Sequence, residues 1–340
     1  MKKAVIFFVI AAMLLTMAGC GASSSDNTDK YSIAVTIFPE YDWIHNILGD
    51  RADRFDVALL QDSGADLHNF QPGADDIVTI STCDMFVYVG GESDEWAEDA
   101  LAQAQNKDMI VVKLIDVLGG AVKEEELVEG MEDDHHHHDN DDHDEDHKDE
   151  HHDEDHDHEE EHELDEHVWL SLRNASAVCA VLCEKLSAID PDGASEYEKN
   201  AAAYIAKLSE LDGEYEAAVK AAARDTILFA DRFPFRYLAE DYDLDYYAAF
   251  SGCSAETEAS FETVIFLAGK VDELGLPAVL TIESCDGKIP QTVIDNTKNK
   301  DAKILMMDSM QSVTARDVKD GADYLAIMKE NLKALREALE

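Results

Sequence analysis

The sequence predicts an α/β fold of two lobes, each a mostly parallel four-stranded sheet flanked by helices, joined by one long backbone helix. Eight short apolar runs rich in branched residues alternate with helical stretches, the pattern of strands buried on both faces. The runs fall into two groups of four, and one long amphipathic stretch separates the groups. Segments between neighbouring runs are long enough for crossover helices, so each group closes into its own parallel sheet.

The first group is 32–37 (SIAVTI), 55–60 (FDVALL), 85–89 (MFVYV) and 109–114 (MIVVKL), which places a first lobe over 31–190. The second is 226–230 (TILFA), 245–250 (DYYAAF), 278–282 (AVLTI) and 303–307 (KILMM), which places a second lobe over 226–340. Between them Tyr197, Ala201, Tyr204, Leu208, Leu211 and Tyr215 recur at spacings of 4 and 3. That is the apolar stripe of a helix. Ser195 followed by Glu198 reads as a capping box at its start. The linking helix within 191–225 should run for about 28 residues, or roughly 42 Å, long enough to lie along both lobes. Gly213 is its weak point, costing about 1 kcal/mol relative to alanine.

The first twenty residues read as a targeting segment. Lys2 and Lys3 precede an apolar stretch from Ala4 to Met17, closed by Met17-Ala18-Gly19-Cys20. That ending resembles a bacterial lipoprotein signal, which implies a lipid on Cys20 and an extracytoplasmic protein anchored to the cell membrane. Residues 21–30 form a flexible tether. No later stretch reaches the roughly 18 apolar residues that a membrane span needs.

The formal net charge is −48. Nucleic acid is excluded as a partner, because phosphate binding needs a basic face. A negative field instead concentrates cations. The charge is densest over residues 132–163, which hold 19 acidic residues, one lysine and eleven of the fourteen histidines, with no apolar residue. Such a tract cannot bury a core, so a disordered, solvated loop is expected over 131–163. Neutral imidazoles are good ligands for zinc, copper and nickel, which points to a divalent transition metal.

Two further histidines stand at the edges of ordered elements. His68 lies in Gly64-Ala65-Asp66-Leu67-His68-Asn69-Phe70-Gln71-Pro72 after the second strand, and His167 in Asp165-Glu166-His167-Val168-Trp169-Leu170-Ser171 after the acidic tract. Neighbouring apolar residues can orient each ring, as metal ligands require. Of the cysteines, Cys179 and Cys183 read as buried small residues of a helix. Cys253 and Cys285 each follow a strand, and a disulfide between them is left open.

These stretches resemble the metal-binding receptors of zinc/manganese ABC importers, the cluster A-I solute-binding proteins of zinc-uptake type. GADLHNFQP is similar to that family's G-x-x-x-H-x-[YF]-x-P motif, and DEHVWLS to its D-P-H-x-W-L-[SD] motif, with a His-rich loop just before it. The turn from Ser251 to Glu258 and the ending from Tyr324 to Leu332 are also similar to the family. The resemblance covers nearly the whole chain beyond the signal segment. It implies a four-ligand site in the cleft between lobes, with His68 and His167 from the first lobe. The third family ligand follows the first strand of the second lobe. Matching from that strand places Asp231 there; matching backwards from Tyr237 places Arg232, which could not bind a cation, so Asp231 is preferred. The fourth, a carboxylate after the last strand, matches Asp308.

Two imidazoles and two carboxylates make a mixed site that accepts Zn²⁺. Its oxygen content moves it towards Mn²⁺, the alternative cargo, while the His-rich tract favours Zn²⁺. The expected function is therefore an extracytoplasmic receptor that delivers Zn²⁺ to an ABC permease as a monomer. A manganese receptor, a surface metal store or an adhesin on the same fold are the alternatives. The chain is not expected to be an enzyme, since it offers no HExxH pair and no G-x-S-x-G elbow.

Overall fold

Branched and aromatic residues that pack on both faces of a pleated sheet set the strands of this computed structural model, which describes residues 30–132, 163–254 and 258–340. The signal segment with Cys20, the tether up to residue 29, residues 133–162 of the histidine tract and Glu256 lie outside the described residues. The strands are β1 (Tyr31–Val35), β2 (Phe55–Leu59), β3 (Met85–Tyr88), β4 (Ile110–Lys113), β5 (Thr226–Phe233), β6 (Asp245–Ser251), β7 (Ala278–Thr281) and β8 (Lys303–Met306). They form two four-stranded sheets, ordered β2-β1-β3-β4 and β6-β5-β7-β8. Every pairing is parallel. β3 and β7 are buried at all four positions, as central parallel strands should be. β8 departs from the expected two-faced burial: Ile304 is 41% and Met306 52% exposed, because β8 is an edge of its sheet.

Eleven α-helices accompany the strands among the described residues: α1 (Phe38–Leu48), α2 (Ala74–Thr82), α3 (Glu95–Ala102), α4 (Leu114–Leu118), α5 (Leu172–Ile189), α6 (Ala194–Ala221), α7 (Arg236–Asp241), α8 (Phe261–Leu274), α9 (Lys288–Asp295), α10 (Ala315–Asp320) and α11 (Tyr324–Ala338). None is long and apolar enough to cross a membrane.

The long helix α6 has 28 residues and buries Tyr197, Ala201, Tyr204, Leu208, Leu211 and Tyr215, the stripe read from the sequence. Its first half holds the first lobe: Tyr204 donates to Asp42 Oδ2 at 2.9 Å and Asn200 to the Ile47 carbonyl at 3.1 Å. Its second half holds the other lobe through Tyr215, which donates to the Met328 carbonyl at 2.6 Å. The expected capping box does not form. Pro191 starts a 3₁₀ turn, Pro191–Gly193, that feeds directly into α6 with Gly193 at the N-cap position. Ser195 therefore falls inside the first turn. Gly213 continues the helix, and a Cβ there would meet nothing within 4 Å. Gly213→Ala should thus stabilise the protein by about 0.5–1 kcal/mol, through helix propensity and a smaller unfolded-state entropy. Denaturant unfolding of the two proteins checks this.

One apolar cluster runs through both lobes, taking in Ile33, Val87 and Trp169 as well as Phe229, Leu280 and Tyr324. Polar ties reinforce it: Trp169 Nε1 donates to the Ser309 carbonyl at 2.9 Å, and the Tyr324 hydroxyl to the Trp169 carbonyl at 2.6 Å. A wide hinge opening would have to break this shared core.

Candidate metal centre

Each histidine is aimed by its own stretch of chain. His68 sits in a 3₁₀ turn, Leu67–Asn69, whose N-cap Asp66 accepts from the His68 backbone N–H at 3.1 Å. Its Nδ1 lies 2.7 Å from Ser93 Oγ and 3.5 Å from Glu166 Oε2. His167 is completely buried. Asp165 Oδ1 takes its backbone N–H at 2.9 Å and its ring Nδ1 at 3.0 Å. With both Nδ1 atoms engaged by oxygens, both Nε2 atoms are left to face each other, 3.2 Å apart.

Two glycines make room for this arrangement. Gly91, at φ +90°, lets Glu166 approach so closely that a Cβ would lie 2.3 Å from Glu166 Oε1. Gly252 packs on His167, where a Cβ would come within 3.0 Å of ring atoms Cε1 and Nδ1.

The electrostatics split the pair. Burial, helped by the charge of His167, pushes His68 down to about 3. Burial also opposes charge on His167, yet Asp165, Glu166 and Asp66 hold it above the usual histidine value. A proton shared between the facing Nε2 atoms would therefore favour His167 over His68. A cation entering between them would take the place of that proton, on rings that the two oxygen-bound Nδ1 atoms hold in place.

A family model described as zinc-uptake complex component A, periplasmic, matches residues 33–338. The chain belongs to this family. The zinc-binding protein AdcA of Streptococcus pyogenes is 30% identical over 307 residues, 90% of this chain and 56% of that protein. The chain thus spans little more than half the length of that relative. The high-affinity zinc uptake system protein ZnuA of Bacillus subtilis is 29% identical and covers 99% of this chain and 98% of its own. Among solved structures, the Zn(II)-bound ZnuA-like domain of Streptococcus pneumoniae AdcA superposes with a TM-score of 0.66 at 26% identity, covering 91% of this chain and 99% of that one.

In this member of the zinc-uptake component A family, the second-lobe side chain beside the histidine pair differs from the two carboxylates expected from the sequence. Among the described residues, the histidine, cysteine and acidic side chains that gather closely enough to hold one ion are His68, His167 and Cys253, their ligand atoms within 4.8 Å of one another. Neither Asp231 nor Asp308 joins them. Asp231 Oδ1 accepts from the Arg232 N–H at 2.9 Å and Oδ2 from the Ile282 N–H at 3.2 Å. Neighbouring residues of a strand point to opposite faces, and it is Arg232 that reaches the histidine side, donating to Asp66 Oδ2 at 2.6 Å. The register of β5 on β6 also shifts between Phe229 and Arg232. Asp308 lies after β8, where its Oδ1 accepts from the Met310 N–H at 2.7 Å. Burial and the nearby Glu283 raise its carboxyl to about 6.

Cys253 follows β6 and its backbone N–H donates to Glu125 Oε1 at 2.9 Å. Burial, with the charges of Glu125, Asp165 and Glu166, holds its thiol well above the usual value. All five described cysteines are free, Cys285 included. A mouth of about 310 Å³ opens beside the site, lined by His68, Cys253, Glu92, Glu163 and Glu166 among others. Its carboxylates give the entrance an attraction for cations.

Proposed function

We propose that this chain is an extracytoplasmic zinc receptor. It captures one Zn²⁺ between its lobes and delivers it, as a monomer held to the membrane by a lipid on Cys20, to an ABC-type permease. The facing Nε2 atoms of His68 and His167 carry this reading, because two buried imidazoles locked with lone pairs converging suit a borderline divalent ion. The zinc-binding names of the relatives support it.

His68 and His167 form the core of the proposed ligand set. Asp308 is the carboxylate that can complete it at the smaller cost, since it must leave one backbone hydrogen bond. Asp231 would have to leave two, so it serves the end of β7 rather than the metal. With lobes 31–190 and 226–340 sharing one core along the linking helix 191–225, release to the permease proceeds by loop shifts and small tilts. The histidine tract acts as a weak collector, because its eleven imidazoles and many carboxylates offer donors to a divalent ion.

Calorimetric titration of the full-length chain with Zn²⁺ should show one tight site and several weak ones. Deleting residues 133–162 should remove the weak sites and keep the tight one. Loss of the tight site together with the tract would make the protein a metal store. Equally tight binding of Mn²⁺ to the deleted form would make manganese the cargo.

A further inference from the structure

We propose that Cys253 is the third metal ligand, a thiolate supplied by the second lobe, so that two imidazoles and one sulfur form the set that the Asp308 carboxylate can complete. This rests on the receptor reading of the His68–His167 pair and specifies what completes it. The position that sequence resemblance assigns to a third ligand is unable to serve: Arg232 is a cation paired with Asp66, and Asp231 is bound to the Ile282 N–H. Cys253 instead stands with its sulfur within 4.8 Å of ligand nitrogens on both histidines.

Its placement is built by the chain. Gly252, without a side chain, lets the end of β6 press against the His167 ring, and the Glu125 carboxylate holds the Cys253 backbone N–H. The next side chain after Gly252 is therefore delivered to the histidine pair. Cys253 also lines the acidic mouth, beside His68.

On binding, the Cys253 S–H bond breaks and its proton passes to solvent. The sulfur electron pair then forms the S–Zn bond with no change of oxidation state. A thiolate shifts the site from hard oxygen-seeking ions towards zinc and away from manganese. It also ties the cargo to both lobes at once, since the histidines belong to the first lobe and Cys253 to the second.

X-ray absorption spectroscopy of the full-length chain with one equivalent of Zn²⁺ tests this. The expected first shell holds one sulfur at about 2.3 Å beside nitrogens at about 2.0–2.1 Å. In Cys253→Ser the sulfur shell should vanish and Zn²⁺ affinity fall roughly tenfold or more, no less than for loss of an outer-shell partner. Preference for Zn²⁺ over Mn²⁺ should narrow with it. Cys285→Ser should keep the sulfur shell. A first shell of nitrogen and oxygen alone, still lost in His68→Ala, would overturn the role of Cys253 and leave the receptor reading intact. A shell that His68→Ala does not alter would overturn both.

Discussion

Replacing His167 with alanine should abolish tight Zn²⁺ binding, and replacing Asp165 with asparagine should weaken it by about 10–100-fold. The two effects differ because the two residues act at different distances from the ion. His167 supplies an Nε2 lone pair from a fully buried ring, and Gly252 already fills the space behind that ring, so no other side chain can take its place. Asp165 accepts from Nδ1, which fixes the tautomer and makes Nε2 a better donor to the metal. Asparagine can still accept a hydrogen bond there, but without the charge. The same charge favours protonation of His167, so wild-type affinity should decline towards acid pH as protons compete with the metal. Asp165→Asn should flatten the decline. Competition against a chromogenic chelator at several pH values reads all three quantities, and circular dichroism verifies that each variant is folded. Unchanged affinity in His167→Ala would remove this histidine from the ligand set.

What the sequence made legible was whatever a short stretch of chain decides for itself. The eight strands were readable because each central run is apolar on both faces. β8 misled only in burial, since KILMM carries the composition of a central strand but sits at an edge. The stripe of α6 was readable from Tyr197 to Tyr215, whereas its start was set by Pro191 rather than by Ser195. His68 and His167 were legible because Asp66 and Asp165, two residues before each, fix them locally. The second lobe's contribution was not, because one residue of strand alternation decides whether Asp231 or Arg232 faces the cleft, and an irregularity in β5 lies between Phe229 and Arg232. Cys253 read as a possible disulfide partner of Cys285. The signal that could have found it is the Gly252-Cys253 pair at the end of β6, where a residue without a side chain lets a thiol approach a buried ring.

Glu40→Gln should make the protein more stable at pH 8 than its parent, by on the order of 4 kcal/mol, and leave the two nearly equal at pH 5. Glu40 lies in the first turn of α1 and is fully buried. Its Oε2 accepts from the Thr36 and Ile37 backbone N–H groups at 2.8 and 3.2 Å and from Thr36 Oγ1 at 3.2 Å. Those donors favour the ionised form, but burial outweighs them and the charge of Asp94 adds to it, so the carboxyl rises from 4.5 to about 8. Between those two values the folded protein keeps a proton that the unfolded chain releases. Stability contributed by this group is therefore fullest below pH 4.5 and drains as pH rises towards 8. Glutamine keeps an acceptor for the three donors, cannot ionise, and puts an amide where Glu40 Oε1 is buried without a partner. Asp94 is itself raised to about 7 and adds its own slope, so the quantity to read is the difference between variant and parent in urea unfolding from pH 5 to 8. A difference that stays constant over that range would show that Glu40 is already ionised in the fold.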